Sequence, residues 1–297
     1  MSKYFMQPVK KFEELTIRDS FMFGTVMEDP SLCREFLEVL LQRPVGSLSG
    51  ITREKDVKLT EDGKAIRLDI YAKDLSDGSL IDAEMQNLNK QSLEALNLPK
   101  RSRYYQSLID LQALSVTDSY RQLSDSNIIF ICTFDPFELG SMCYTFTERC
   151  NELPNLELGS GTRKYFFNTT AIPSDMPRDM HRLYNYINNG TVSDELTRRI
   201  DDSVKVVRLS SEKRALYMKT LTWLDDEKYY AREEGLAEGR EQGLSEGREQ
   251  GLSEGRMDTL IELYLEGSIT KELALSKMGI SAEELDRYAA DMKARTT

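Results

Sequence analysis

Two carboxylates fifteen residues apart, Asp69 and Glu84, with a polar amide, Gln86, two residues beyond the second, are the part of this sequence best suited to chemistry. Hydrolysing a phosphodiester at neutral pH needs an activated water and a counter-charge for the phosphoryl oxygens. Mg²⁺ supplies both, and its preferred protein ligands are one or two carboxylates with several waters. Two carboxylates on one sheet face, beside a group that orients water, would meet that need. Downstream, Lys100-Arg101-Ser102-Arg103-Tyr104-Tyr105 gathers cations and aromatics suited to gripping a phosphate backbone. The alternative is an ordinary solvated hairpin face followed by exposed helix charges.

The elements that would position these residues can be read from periodicity. Ile66-Arg67-Leu68-Asp69-Ile70-Tyr71-Ala72 alternates, with Ile66, Leu68, Ile70 and Ala72 on one face and Arg67, Asp69 and Tyr71 on the other. Asp77-Gly78 predicts a turn. Leu80 to Gln86 alternates again, Ile81, Ala83 and Met85 against Asp82, Glu84 and Gln86. A turn near residues 75–78 would set Asp69 nearly opposite Glu84. Ile128 to Phe134 reads as a strand buried on both faces. Residues 93–115 predict a long helix that Pro99 must begin or interrupt. Leu15 to Leu41 predicts two helices divided at Asp29-Pro30, with Pro44 ending the second. Helices and strands in this order predict an α/β fold with a mixed sheet flanked by helices.

The predicted organisation is a core over 1–170, a helical extension over 171–230, a repeat over 231–257 and a small helical tail over 258–297. In the extension, Leu183, Tyr184, Ile187, Ala215, Leu216, Met218, Leu221, Trp223 and Leu224 are candidates for packing on the core. The repeat has an eight-residue period, E-Q-G-L-S-E-G-R, with glycine at 235, 239, 243, 247, 251 and 255. Glycine costs a helix about 1 kcal/mol per residue relative to alanine. The segment is therefore either a helix whose glycine stripe packs on a partner or a linker. The tail, from Met257 through Gly267-Ser268, Gly279 and the cap Ser281-Ala282-Glu283-Glu284, has a helix-turn-helix outline. Its acidic second helix suits packing or oligomerisation better than gripping DNA.

Composition excludes several alternatives. The one histidine, His181, rules out a zinc protease with paired histidines on a helix, and reads as a polar position on an amphipathic helix. Cys33, Cys132, Cys143 and Cys150 form no C-x-x-C pair, which suits reduced thiols in a cytoplasmic protein. No apolar run approaches the roughly 18–20 residues of a membrane span, and the first eight residues lack a signal-peptide core. A net charge of −11 argues weakly against a protein that coats nucleic acid, though not against a local basic patch.

At these residues the chain resembles the recombination-promoting nuclease family of bacterial transposases, within the PD-(D/E)XK superfamily. The resemblance rests on Arg67-Leu68-Asp69-Ile70-Tyr71-Ala72, Gly78 and Asp82-Ala83-Glu84-Met85-Gln86. The opening Thr16-Ile17-Arg18-Asp19-Ser20-Phe21-Met22-Phe23, Arg101 with Tyr104 and Tyr105, and more loosely the glycine-glutamate repeat add to it. It implies a restriction-endonuclease-like core and Mg²⁺-dependent cleavage of DNA serving recombination or transposition. Asp69, Glu84 and Asp19 would be metal ligands, and Gln86 would stand at the superfamily's lysine position. Arg67, Arg101, Arg103, Tyr104 and Tyr105 would bind substrate. A glutamine can hydrogen-bond but carries no charge, so the implied activity is modest. DNA would be the partner, and a homo-oligomer through the glycine-striped repeat and the C-terminal helices is expected. The rival expectation is a degenerate nuclease core acting as a DNA-binding or oligomeric assembly module.

Overall fold

A computed structural model describes residues 10–57, 66–87, 97–114 and 117–295. The chain divides into two compact units, Met1–Met218 and Lys219–Thr297.

The first unit is built on a six-stranded mixed sheet. Its strands are β1 (Leu48–Val57), β2 (Ile66–Asp74), β3 (Leu80–Gln86), β4 (Ser126–Cys132), β5 (Cys143–Phe146) and β6 (Thr162–Asn168), in the order β1-β2-β3-β4-β6-β5. β1, β2 and β3 pair antiparallel, β3, β4 and β6 pair parallel, and β5 closes the far edge antiparallel to β6. This is the α/β class with a mixed sheet that the periodicities predict.

The turn between β2 and β3 is held by Asp74, whose carboxylate accepts from the backbone N–H groups of Gly46 and Ser76 and from the Ser76 hydroxyl. These bonds, together with the Gly46 and Arg43 neighbourhood, hold the Asp74 carboxyl below the usual carboxylate range against the opposing effect of burial. Gly78 adopts φ +76° in this turn, a conformation open to glycine and strained for other residues. β4 is buried at every position, and β3 is too.

Helix α1 (Ser20–Val26) and α2 (Pro30–Leu41) divide at Asp29-Pro30, as predicted. Asp29 caps α2 by accepting from the N–H groups of Ser31 and Leu32 at 2.9 and 3.0 Å. The helix ends at Gln42 in the left-handed region, before Pro44. α3 (Leu98–Ala113) begins rather than breaks at Pro99, where a missing N–H has no helical partner to lose; residues 93–96 of the predicted helix lie outside the described residues. Leu98, Tyr105, Leu108 and Ile109 of α3 pack with Ile128, Phe130 and Phe166 of the sheet.

The predicted extension holds α4 (Arg178–Asn189), α5 (Glu195–Leu209) and the start of α6 (Ser211–Leu265). α4 and α5 pack on each other and on α2, and α5 also meets α1. An ion pair from Arg199 to Glu35 at 2.7 Å ties α5 to α2. Leu183, Tyr184 and Ile187 are buried, as expected, and His181 is exposed. The face of α6 differs from expectation. Ala215 and Met218 are exposed, and the buried residue is Tyr217, which packs against Phe12 and Phe21. A phenol can bury its ring while its hydroxyl donates to a carbonyl, here Lys10 at 3.0 Å, so an apolar-only reading of the face misses it. The side chains of Trp223 and Leu224 lie outside the described residues.

The second unit contains the repeat, which is helical throughout, and the tail helices α7 (Lys271–Met278) and α8 (Ala282–Arg295). Ile261, Ala274, Leu285 and Ala289 form its small core. Gly279 ends α7 at φ +68°, and Ser281 with Glu284 caps α8 reciprocally.

Candidate active site

Between β2 and β3 the backbone pairing runs from Lys73 opposite Leu80 to Ile70 opposite Ala83. One residue further, side chains replace the ladder. The Asp69 N–H donates to Glu84 Oε1 at 2.9 Å, and the Met85 N–H donates to Asp69 Oδ2 at 3.0 Å. The two strands part here, and each carboxylate reaches across the opening to satisfy the other strand's backbone. The sequence-derived expectation of opposed carboxylates is met, and the pair sits where a ladder ends rather than within one.

The polar face of β3 is not solvated, in contrast to an ordinary hairpin. Asp82, Glu84 and Gln86 are all buried, because α3 lies over them. Arg101 on α3 provides the counter-charge. Its Nη2 donates to Glu84 Oε2 at 2.8 Å, its Nη1 to Gln86 Oε1 at 3.1 Å and its Nε to the Tyr105 hydroxyl at 2.6 Å. The guanidinium also lies over the Tyr105 ring, 4.8 Å from its centroid. Burial pushes the Glu84 carboxyl up, and the Arg101 charge and the Asp69 N–H pull it back. Burial likewise raises the Tyr105 phenol, so it serves as a neutral buttress.

Asp82 has no such support. It is fully buried, and neither carboxylate oxygen has a hydrogen-bond partner among the described residues. Burial foremost, then the charges of Glu84 and Asp69, hold its carboxyl well above the ordinary range. Alternation in phase with Glu84 and Gln86 was the signal available for it in the sequence.

The carboxylates open into a cavity of about 350 Å³ whose wall includes Asp19, Arg18, Asp69, Glu84, Gln86 and Arg101. Asp19 is thus brought to the same cavity, but its carboxylate is engaged. Oδ1 accepts from Lys10 Nζ at 2.6 Å, and Oδ2 accepts from the Thr16 N–H at 2.8 Å. Gly24 lets α1 approach this corner: a Cβ there would stand 3.1 Å from the Asp69 carbonyl oxygen and 2.8 Å from Arg53 Cγ. Of the other residues expected to meet substrate, Arg103 and Tyr104 are exposed on α3 and do not line the cavity. Tyr105 is buried beneath Arg101, and the side chain of Arg67 lies outside the described residues.

Among the described residues no three acidic, histidine or cysteine side chains are grouped to hold a metal ion. The donor set is a carboxylate pair with a neighbouring amide oxygen, in a cavity that Lys10, Arg18 and Arg101 also line. Hard oxygen donors of this kind fit a divalent cation that keeps most of its waters.

Comparisons with curated proteins and with solved structures found no match. Residues 20–146, which carry this corner of β2 and β3 together with α3, match the family model of the PD-(D/E)XK nuclease family transposases.

Proposed function

We propose that the chain is a divalent-metal-dependent DNA endonuclease acting in the cytoplasm. The observation that carries this reading is the interlocked Asp69–Glu84 pair at the opening of β2 from β3, with Arg101 and Gln86 in the same cavity. A bound Mg²⁺ supplies Lewis acidity and lowers the pKa of a coordinated water.

The chain's own residues do the rest. Asp69 and Glu84 would hold the ion, and Asp19 is a third candidate ligand once Lys10, half exposed, turns to substrate. Gln86 orients water by hydrogen bonding and brings no charge. The charge that a lysine would supply there comes from Arg101, whose guanidinium bridges Glu84 and Gln86. Arg103 and Tyr104, exposed on α3, and Arg67 on β2 are positioned by sequence to meet the flanking backbone. The breaks so made would feed recombination or transposition.

The test is cleavage of supercoiled plasmid with Mg²⁺ or Mn²⁺. Wild type is expected to nick or linearise it, and identically purified Asp69→Ala to lose that activity while staying folded. Absence of cleavage by wild type on duplex, single-stranded and branched DNA would favour the other reading, a degenerate core that binds DNA without cutting. That reading draws on Gln86 in place of lysine and on the Arg101 clamp that already occupies Glu84.

We further propose that the chain self-associates through the repeat. Beyond the helix's own neighbouring backbone, no atom of the described residues lies within 4 Å of the position a Cβ would take at any of its six glycines. Leu236, Leu244 and Leu252 are exposed on the same helix. Six such glycines cost about 5–6 kcal/mol against alanine, which close packing of the bare stripe on a second copy would offset. Analytical ultracentrifugation should show an oligomer that Gly243→Leu with Gly247→Leu dissociates. Were the protein a monomer throughout, alanine at each of these positions would instead stabilise the helix by about 1 kcal/mol.

A further inference from the structure

Beside the carboxylate cavity lies a second one, of about 490 Å³, within the same unit. The two share three residues, Lys10, Arg18 and Asn87. Its walls are mixed. Ile17, Ile187 and Val204 contribute apolar surface, and Asn87, Asn188 and Asn189 contribute amides. The volume falls in the range of small-ligand pockets, roughly 300–1,000 Å³, and apolar walls with a few polar groups are the usual composition of such sites.

Two details point to a ligand. The Arg18 Nε is buried with no hydrogen-bond partner among the described residues, and its one bond, from Nη1 to the Asn188 carbonyl, is long at 3.4 Å. A buried donor left unpaired costs about 1–3 kcal/mol, which an acceptor on a ligand would relieve. The Asn87 side chain accepts from Thr133 through its oxygen at 2.9 Å, and its amide nitrogen has no partner among the described residues. Asn188, by contrast, is committed to Thr169 at both ends and acts as a rigid wall. Arg18 therefore stands between the carboxylates and a pocket of aliphatic and amide groups, with Tyr186, Asp201 and Arg208 also on its wall.

We infer that this second cavity receives one unpaired nucleobase next to the scissile phosphate, with Arg18 and Lys10 on the phosphate that joins the two sites. The inference rests on the nuclease reading and adds a preference within it. A base has an apolar face for Ile17, Ile187 and Val204 and a hydrogen-bonding edge for the asparagine amides, whereas a base pair in an intact stack cannot enter a concave pocket. The favoured substrate is DNA with a mismatch or frayed end at the cut site, where the cost of unstacking is already reduced.

The test is fluorescence anisotropy with the full chain in Ca²⁺, using two duplexes of one sequence, one fully paired and one with a central mismatch. 2-Aminopurine at the mismatch reports departure from the stack. Wild type should bind the mismatched duplex roughly tenfold more tightly, equivalent to about 1.4 kcal/mol, with a change in 2-aminopurine emission. Asn189→Trp, a substitution at an exposed residue that fills the cavity, and Arg18→Gln should each bring the ratio close to one. Equal binding of both duplexes by wild type, or a preference that survives in both variants, would overturn the pocket assignment and leave the nuclease reading standing. Failure to bind either duplex would overturn both.

Discussion

Glu84→Gln is expected to give a folded protein whose Mg²⁺-dependent cleavage falls by three orders of magnitude or more, about 4 kcal/mol of transition-state stabilisation. The substitution keeps the shape of the side chain and one oxygen, which can accept from Arg101 Nη2 or from the Asp69 N–H but not from both, because each bonds a different Glu84 oxygen. It removes the charge that would hold the ion. Loss of an outer partner of a metal ligand costs roughly 10–100-fold, so a larger fall distinguishes a ligand from a support. Burial disfavours the charged form of Glu84, and the thermal midpoint of Glu84→Gln should therefore match or exceed that of wild type without metal.

Arg101→Ala should behave in the opposite way on stability. Breaking a buried pair from one side typically costs about 3–5 kcal/mol. Arg101 retains a quarter of its side-chain exposure, so the lower end of that range is expected. Initial rates of plasmid nicking, set beside thermal midpoints for the same preparations, separate the two effects. Wild-type cleavage by Glu84→Gln would remove this corner from the chemistry.

Asp82→Asn is expected to stabilise the metal-free protein at pH 8 and to have little effect at pH 4. The Asp82 carboxyl is held above its ordinary range by burial first and by the charges of Glu84 and Asp69 second, while the Arg101 charge works against them. An unfolded chain releases this proton near pH 4. Between there and the point where the folded carboxyl ionises, the folded state binds the extra proton, so stability falls as pH rises, by somewhat more than 1 kcal/mol per pH unit. Asparagine does not titrate and escapes that loss. Each kcal/mol corresponds to about 2–4 °C for a unit of this size, so thermal melts at intervals from pH 4 to 8 should show two midpoints that start together and diverge. Midpoints that run parallel across the range would show that Asp82 has a partner in solution.

The α/β order, the division at Asp29-Pro30, the two alternating strands and the opposition of Asp69 to Glu84 could all be read from the chain, because each depends on local rules. Side-chain period, proline and turn chemistry act over a few residues, and a short hairpin leaves almost one register. The family resemblance was carried by these same local segments. What neighbours across the fold supply could not be read in this way. Asp82, Glu84 and Gln86 look like the wet side of a hairpin until α3 is laid over them, and the burial that raises Glu84 and Asp82 belongs to that packing. Tyr105 looks like a contact for substrate, and its place beneath Arg101 depends on which side of α3 meets the sheet. Tyr217 and Lys10 reach the site from opposite ends of the first unit, and they meet through a hydrogen bond between residues 207 positions apart. Local sequence thus determined which groups could do chemistry, and long-range packing decided their solvation, their charge balance and the cavity they share.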